Sequence, residues 1–137
     1  MIYVGPKSFK ENETLMNELK VAFPNELISQ YLHGSQAAII GTEDISEAVI
    51  QDNPSLRFIS KYGVGLDSID IEACKRNWVR FLYTPGVNAH YVAEHTVGLM
   101  LALKRKIMAG HHLMINGLWR KDGGESLEGL IVGIIGY

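Results

Sequence analysis

Cysteine is almost missing from this sequence. Cys74 is the only cysteine in 137 residues, so no disulfide can form within the chain. A protein without disulfides fits a reducing compartment. The first residues, Met-Ile-Tyr-Val-Gly-Pro, also lack the basic and apolar segments of a secretory signal peptide. We therefore expect a cytoplasmic protein in which Cys74 is a small apolar core residue rather than a nucleophile.

The chain also has little net charge and no long apolar run. Thirteen Lys and Arg against fifteen Asp and Glu leave a net charge of -2, which gives no reason to expect nucleic acid or an anionic membrane as a partner. The most apolar stretch, residues 92–103, is too short to span a bilayer. His111 and His112 are adjacent and lack the spacing of a helical zinc site. No metal site is predicted.

What remains is the composition of an ordinary globular protein, 47% hydrophobic and 20% charged. Short apolar runs alternate with helical patterns along the first 86 residues, which indicates βαβ units around a parallel sheet. We predict an α/β, flavodoxin-like domain over residues 1–86. Strands are expected at residues 1–4, 36–41, 56–62 and 78–83, and helices at 9–22, 26–32, 46–51 and 69–77. The helix at 26–32 leaves little room for a further edge strand.

One long helix, residues 88–106, dominates the second region, residues 87–137. The Asn88 side chain suits the N-cap, and the basic residues 104–106 suit the negative end of the helix dipole. This helix is apolar on nearly every face, so it is either buried on all sides or shared between subunits. A shorter helix is expected at 111–118 and an apolar strand at 130–135.

Four segments together carry a family resemblance. They occur in this order: KYGVGLDSID at 61–70, NAHYVAEHTVGLMLAL at 88–103, NGLW at 116–119 and LIVGIIG at 130–136. They resemble the D-isomer-specific 2-hydroxyacid dehydrogenases, nearest the phosphoglycerate dehydrogenase branch. The resemblance implies a substrate domain, an interdomain helix that joins two copies into a homodimer, and the first strand of a Rossmann domain. It also implies NAD or NADP as cofactor and a small 2-hydroxy or 2-keto acid as substrate.

The turn Gly63-Val64-Gly65 follows an expected strand and precedes an expected helix. Ligands of open α/β sheets collect at such turns, where backbone N–H groups are exposed. From the turn alone, a plain connector is favoured over an anion site. The resemblance reverses this preference, because it implies that the amides of Val64 and Gly65 hold the substrate carboxylate and that Val64 also lies near the nicotinamide.

Three further residues are site candidates through the resemblance. Asn88 matches an asparagine near the substrate, a role that is compatible with capping the helix. Thr96 is expected on the cofactor side of the helix, and Gly136 matches the first glycine of the dinucleotide fingerprint. Glu94 and His95 are not an acid/base pair, because adjacent helix residues point about 100 degrees apart.

The chemistry that is missing is informative. The histidine, glutamate and arginine that the family uses for catalysis have no counterpart in this sequence, and only the first glycine of the cofactor fingerprint is present. We therefore expect the 137-residue chain alone to be inactive and to bind no NAD. The alternative is a non-catalytic binding or dimerisation module with the same fold. A phospho-receiver domain is excluded as well. It needs acidic residues at the end of its first strand and an aspartate at the end of its third, but here the first strand ends in Val-Gly-Pro and the candidate third strand ends in Gly41-Thr42.

Overall fold

A computed structural model describes residues 1–121 and 123–136. Short strands and helices alternate along it. The strands are β1 (Ile2–Val4), β2 (Ile28–Ser29), β3 (Ala37–Ile40), β4 (Phe58–Lys61) and β5 (Arg80–Leu82). The helices are α1 (Lys7–Lys10), α2 (Glu13–Ala22), α3 (Glu47–Gln51), α4 (Ile71–Arg76), α5 (Ala89–Lys104) and α6 (Ile107–Ile115). The chain divides into two compact units: unit 1 is Met1–Asn88, and unit 2 begins at Ala89.

All five strands of unit 1 form one parallel sheet in the order β2-β1-β3-β4-β5. The register sets Ala38 of β3 beside Ile59 of β4, and Ile59 beside Phe81 of β5. Parallel strands need crossover connections, and α2, α3 and α4 supply three of them. The predicted α/β fold with a flavodoxin-like parallel sheet is confirmed.

Two apolar clusters cover the two faces of this sheet. On one face, Ala38, Ile40 and Ile59 pack with residues of α3 and α4, which include Ile50 and Cys74. On the other face, a smaller cluster joins Ile2 and Val4 of β1 to Leu19 of α2. The alternation of side chains along each strand therefore gives three layers, with helices on both sides of the sheet.

Side-chain caps fix where α2, α3 and α4 begin. The Asn12 side chain accepts a hydrogen bond from the Leu15 N–H at 3.1 Å, so the helix expected at 9–22 is in fact two, with α2 beginning after Asn12. Asp70 caps α4 by accepting from the Ala73 N–H at 2.8 Å. The helix expected at 69–77 therefore begins two residues later, at Ile71. Each cap satisfies an N–H group that has no partner within its helix.

The prediction of a helix at residues 26–32 is wrong. Residues 28–29 instead form β2, whose Ile28 and Ser29 lie beside Ile2 and Tyr3 of β1. The Ser29 hydroxyl then closes a turn with the backbone of Tyr31, both accepting its N–H at 3.0 Å and donating to its carbonyl. Pairing with β1 satisfies backbone groups that a short isolated helix would leave to water.

Unit 2 contains α5, α6 and an irregular segment. Neither helix has a buried residue. The long helix was expected to be either buried on all sides or shared between subunits, and burial of α5 within the described chain is not observed. The strand expected at residues 130–135 is not formed. A strand needs a neighbour for its backbone N–H and C=O groups, and the described part of unit 2 holds no strand to pair with. No helix in the described residues is long and apolar enough to cross a membrane.

Candidate functional site

A cleft of about 710 Å³ opens in unit 1 at the carboxyl ends of β1, β3 and β4. Because these three strands are parallel neighbours, the turns that follow them meet at one edge of the sheet. The cleft is lined by residues 5–8 and Glu11 after β1, by residues 41–43 after β3, and by residues 61–65 at the end of β4. Open α/β sheets bind their ligands at such an edge.

The turn after β4 lines this cleft and carries backbone N–H groups that have no partner among the described residues. Gly63 has φ +132, a conformation that side chains disfavour, which allows the chain to turn sharply away from Lys61. In the described part of the chain, no acceptor bonds to the backbone N–H groups of Gly63, Val64 and Gly65. Three successive unpaired N–H groups beside a cleft can bind an anion.

A positive charge adjoins this turn. The Lys61 ammonium group donates to the carbonyl of Gly41, the residue that follows β3. Its side chain passes Gly63 closely, with Cε 3.8 Å from where a Cβ on Gly63 would lie. An ammonium group has three N–H donors, so two remain for a ligand. Lys61 therefore both ties β4 to the turn after β3 and supplies charge at the edge of the sheet.

Glu43 is the negative counterpart of Lys61. One carboxylate oxygen, Oε2, accepts from the Gly41 N–H, so the two charged side chains bind the two polar groups of one residue. The other oxygen, Oε1, lies over Gly5, only 2.0 Å from where a Cβ on that residue would stand. A side chain at position 5 would thus displace the carboxylate. Burial, and secondly the charge of Glu43, raise the pKa of the nearby Tyr3 hydroxyl.

Tyr62, Lys7 and Glu11 also line the cleft. The ring of Tyr62 meets that of Phe9 edge to face, with centroids 5.3 Å apart, which joins α1 to the end of β4. Lys7 and Glu11 are exposed, and Nζ of Lys7 lies 3.6 Å from Oε1 of Glu11. The charged lining residues are therefore two cations and two anions.

The structure places two of the predicted site residues, Val64 and Gly65, in this cleft. Asn88 is the last residue of unit 1. Within the described residues its side chain makes no hydrogen bond, so its capping and substrate roles both stay predictions. Thr96 and Gly136 belong to unit 2. The Thr96 hydroxyl donates to the Val92 carbonyl at 2.7 Å within α5, and Gly136 has φ +88.

Two of the polar residues of α5 contact each other along the helix. His90 Nε2 lies 3.2 Å from Oε1 of Glu94, one turn later. That Glu94 and His95 form no acid/base pair stays a prediction. In residues 1–121 and 123–136, no group of three His, Cys, Asp or Glu side chains is arranged to hold a metal ion.

Sequence reasoning missed Lys61, Glu43 and Gly5. They are far apart in sequence and come together only because β1, β3 and β4 are neighbours in the sheet. A signal was present, because a lysine that ends a strand and a glutamate three residues after a strand are both charges at the carboxyl edge of a parallel sheet.

Comparison with known proteins shows which family this chain resembles. The catalytic domain of the D-isomer specific 2-hydroxyacid dehydrogenases matches residues 4–130. A glyoxylate reductase of Thermofilum pendens is 37% identical over 101 residues, which are 69% of this chain and 30% of that protein. A D-3-phosphoglycerate dehydrogenase of Archaeoglobus fulgidus is 33% identical over 122 residues, which are 87% of this chain and 23% of that protein.

Solved structures show the same fold. The NAD+-bound 3-phosphoglycerate dehydrogenase of Entamoeba histolytica superposes with a TM-score of 0.70 at 22% identity, covering 93% of this chain and 43% of that one. The chain thus spans less than half the length of these relatives. The match over residues 4–130 decides the assignment, and the chain belongs to the D-isomer specific 2-hydroxyacid dehydrogenase family.

Proposed function

We propose that the cleft of unit 1 binds the carboxylate of a small 2-hydroxy or 2-oxo acid. The backbone N–H groups of Val64 and Gly65 would donate to the carboxylate, and Lys61 would supply a neighbouring positive charge. The observation that carries this proposal is the set of unpaired N–H groups at the turn, open to a cleft large enough for such an acid. Hydrogen bonds to an ionised acceptor are about twice as strong as neutral ones.

The reaction class we propose is oxidoreduction at the CH–OH group of a D-2-hydroxy acid, with NAD or NADP as the hydride carrier. In this scheme residues 1–86 are the substrate domain, and residues 87–137 join it to the cofactor domain. We further propose a cytoplasmic location, with which the unpaired, buried Cys74 is compatible.

Thr96 and Gly136, the residues of unit 2 predicted to contact the cofactor, are described by their own local geometry. The Thr96 hydroxyl donates to its own helix, and Gly136 has the left-handed φ of a turn glycine. Pyrophosphate binding depends on N–H groups at a helix N-terminus, and only the first glycine of the fingerprint that leads into such a helix is present. We therefore propose that a polypeptide of these 137 residues binds a substrate acid without catalysing hydride transfer and without measurable affinity for NADH.

The carboxylate site is tested by titrating the ¹⁵N-labelled chain with glyoxylate and following its amide resonances. We expect saturable shifts at Gly63, Val64 and Gly65. Glycolaldehyde, which replaces the carboxylate by a hydroxymethyl group, is the matched ligand and should leave these resonances in place. Lys61→Met should weaken glyoxylate binding by about tenfold. Equal shifts with both ligands would disprove carboxylate recognition.

A second proposal concerns α5, which we infer to be the contact with a second copy of the chain. Val92, Leu99 and Leu103 lie along one side of this helix, and all three side chains are more than half exposed. Apolar surface of this extent marks an interface, and a two-fold contact between identical copies is the commonest arrangement.

Sedimentation of the purified chain tests this interface. We expect a dimer that Leu99→Glu converts to monomer, because the substitution would bury a charge in an apolar contact. Val21→Glu is the matched control: Val21 is an exposed apolar residue of α2, in unit 1, and its substitution should leave the dimer intact. A monomeric wild-type chain at every concentration would refute the assignment.

A further inference from the structure

We propose that Glu43 determines which acids the cleft accepts: its carboxylate rejects substrates that carry a second negative group and accepts a hydrogen bond from an uncharged hydroxyl. This inference rests on the proposed function, since it assumes that the substrate carboxylate lies at Val64 and Gly65. It adds a residue for specificity and a substrate class, namely small monocarboxylates with a neutral, hydroxyl-bearing end.

The position of Glu43 is fixed from two sides. Its Oε2 atom accepts from the Gly41 N–H, and its Oε1 atom lies over the bare Cα of Gly5. Both glycines line the same cleft as the turn at residues 63–65. The carboxylate is therefore held at the side of the cleft formed by β1 and β3, while the N–H donors lie at the side formed by β4.

The negative charge of Glu43 is not neutralised by an ion pair. Lys61, which lines the same cleft, donates to the Gly41 carbonyl, and the described residues include no ion pair of Glu43. Its charge also contributes to the raised pKa of the Tyr3 hydroxyl, so its field extends to its neighbours. A phosphate or second carboxylate placed against Oε1 would meet a like charge that no direct ion pair offsets.

The Oε1 atom remains free to accept. Among the described residues, only Oε2 of this carboxylate has a hydrogen-bond donor. A hydroxyl group on the substrate can donate to Oε1, which makes the site complementary to a hydroxylated end and unfavourable for an anionic one. The distinction is relevant to this family, because the relatives of this chain include both a glyoxylate reductase and a D-3-phosphoglycerate dehydrogenase.

The experiment compares two ligands that differ only in a phosphate group. The 137-residue chain is titrated with D-glycerate and with D-3-phosphoglycerate, and dissociation constants are taken from the amide shifts of Val64 and Gly65. We expect the wild-type chain to bind D-glycerate about tenfold more tightly, the size of a screened repulsion between neighbouring charges. Glu43→Gln keeps an oxygen for the Gly41 N–H and should bring the ratio close to one.

Two further variants isolate the cause. Asp44→Asn removes the same negative charge at the next residue, which is exposed and does not line the cleft. This variant should leave the ratio of the two dissociation constants unchanged. Gly5→Ala displaces the carboxylate without removing it and should lower the preference for D-glycerate. The inference is overturned if both acids bind the wild-type chain equally, or if Glu43→Gln leaves the ratio intact. If neither acid shifts the Val64 and Gly65 amides, the carboxylate site itself is refuted, and this inference with it.

Discussion

Gly63 gives the sharpest test of how the backbone builds the cleft. Its φ of +132 lies in a region that an alanine adopts only with strain. A methyl group there would meet no obstacle, because its nearest neighbour, Lys61 Cε, is at an ordinary contact distance of 3.8 Å. Gly63→Ala therefore changes backbone preference and almost nothing else.

The expected cost follows from that conformation. A residue other than glycine held in such a region loses about 1–3 kcal/mol. If the turn keeps its shape, unit 1 loses this amount of stability. If the turn relaxes, the N–H groups of Val64 and Gly65 point elsewhere and the affinity for a carboxylate falls. The strain must therefore lower the stability of unit 1, the affinity for a carboxylate, or both.

Hydrogen exchange of the β3 and β4 amides measures the stability of unit 1, and the glyoxylate titration measures the site. The control is Gly65→Ala, in the same turn, where φ is not positive and a Cβ would lie 3.7 Å from the Asp67 carboxylate. It should change stability by less than about 0.5 kcal/mol. The reasoning is refuted if Gly63→Ala retains both wild-type protection and wild-type affinity.

Two further predictions concern the core of unit 1. Ile59 is fully buried on the interior strand β4. Ile59→Ala should therefore lower the free energy of unfolding in urea by about 2–5 kcal/mol, and Ile59→Val by about 0.5–1.5 kcal/mol. Equal small losses would mean that the side chain is loosely packed. Burial, and secondly the Asp70 carboxylate, raise the pKa of the Cys74 thiol. Folding thus favours the protonated thiol, whose stabilising contribution is complete below the pKa of the unfolded thiol and is lost as pH rises through the raised value. Above about pH 8.5 the wild-type chain should lose stability more steeply than Cys74→Ala, and parallel urea midpoints would contradict this.

The sequence predicted the central sheet well because its strands are short apolar runs between clear turn signals. The run 36–41, for example, is covered on both faces, so burial and local preference agree, and β3 forms within it. The Gly63-Val64-Gly65 turn was also predictable, because its glycines mark the point where the chain must change direction.

The failures have a common physical cause, which is that strands depend on partners. In residues 26–32 the apolar side chains have helical spacing, yet two residues pair with β1 and decide the outcome. Residues 130–135 have strong strand preference, but preference without a neighbouring strand leaves the backbone unpaired. The charges of the cleft escaped prediction for a related reason, since their meeting depends on strand order.

The balanced charges around the cleft also determine how a ligand would arrive. Lys7 and Lys61 oppose Glu11 and Glu43 within one small region, so their fields cancel at distances beyond the screening length of about 8 Å at physiological ionic strength. An approaching acid is then neither attracted nor repelled until it reaches the mouth. The association rate should be limited by ordinary diffusion and nearly independent of salt. Differences in affinity between acids should then lie in their dissociation rates rather than in their association rates.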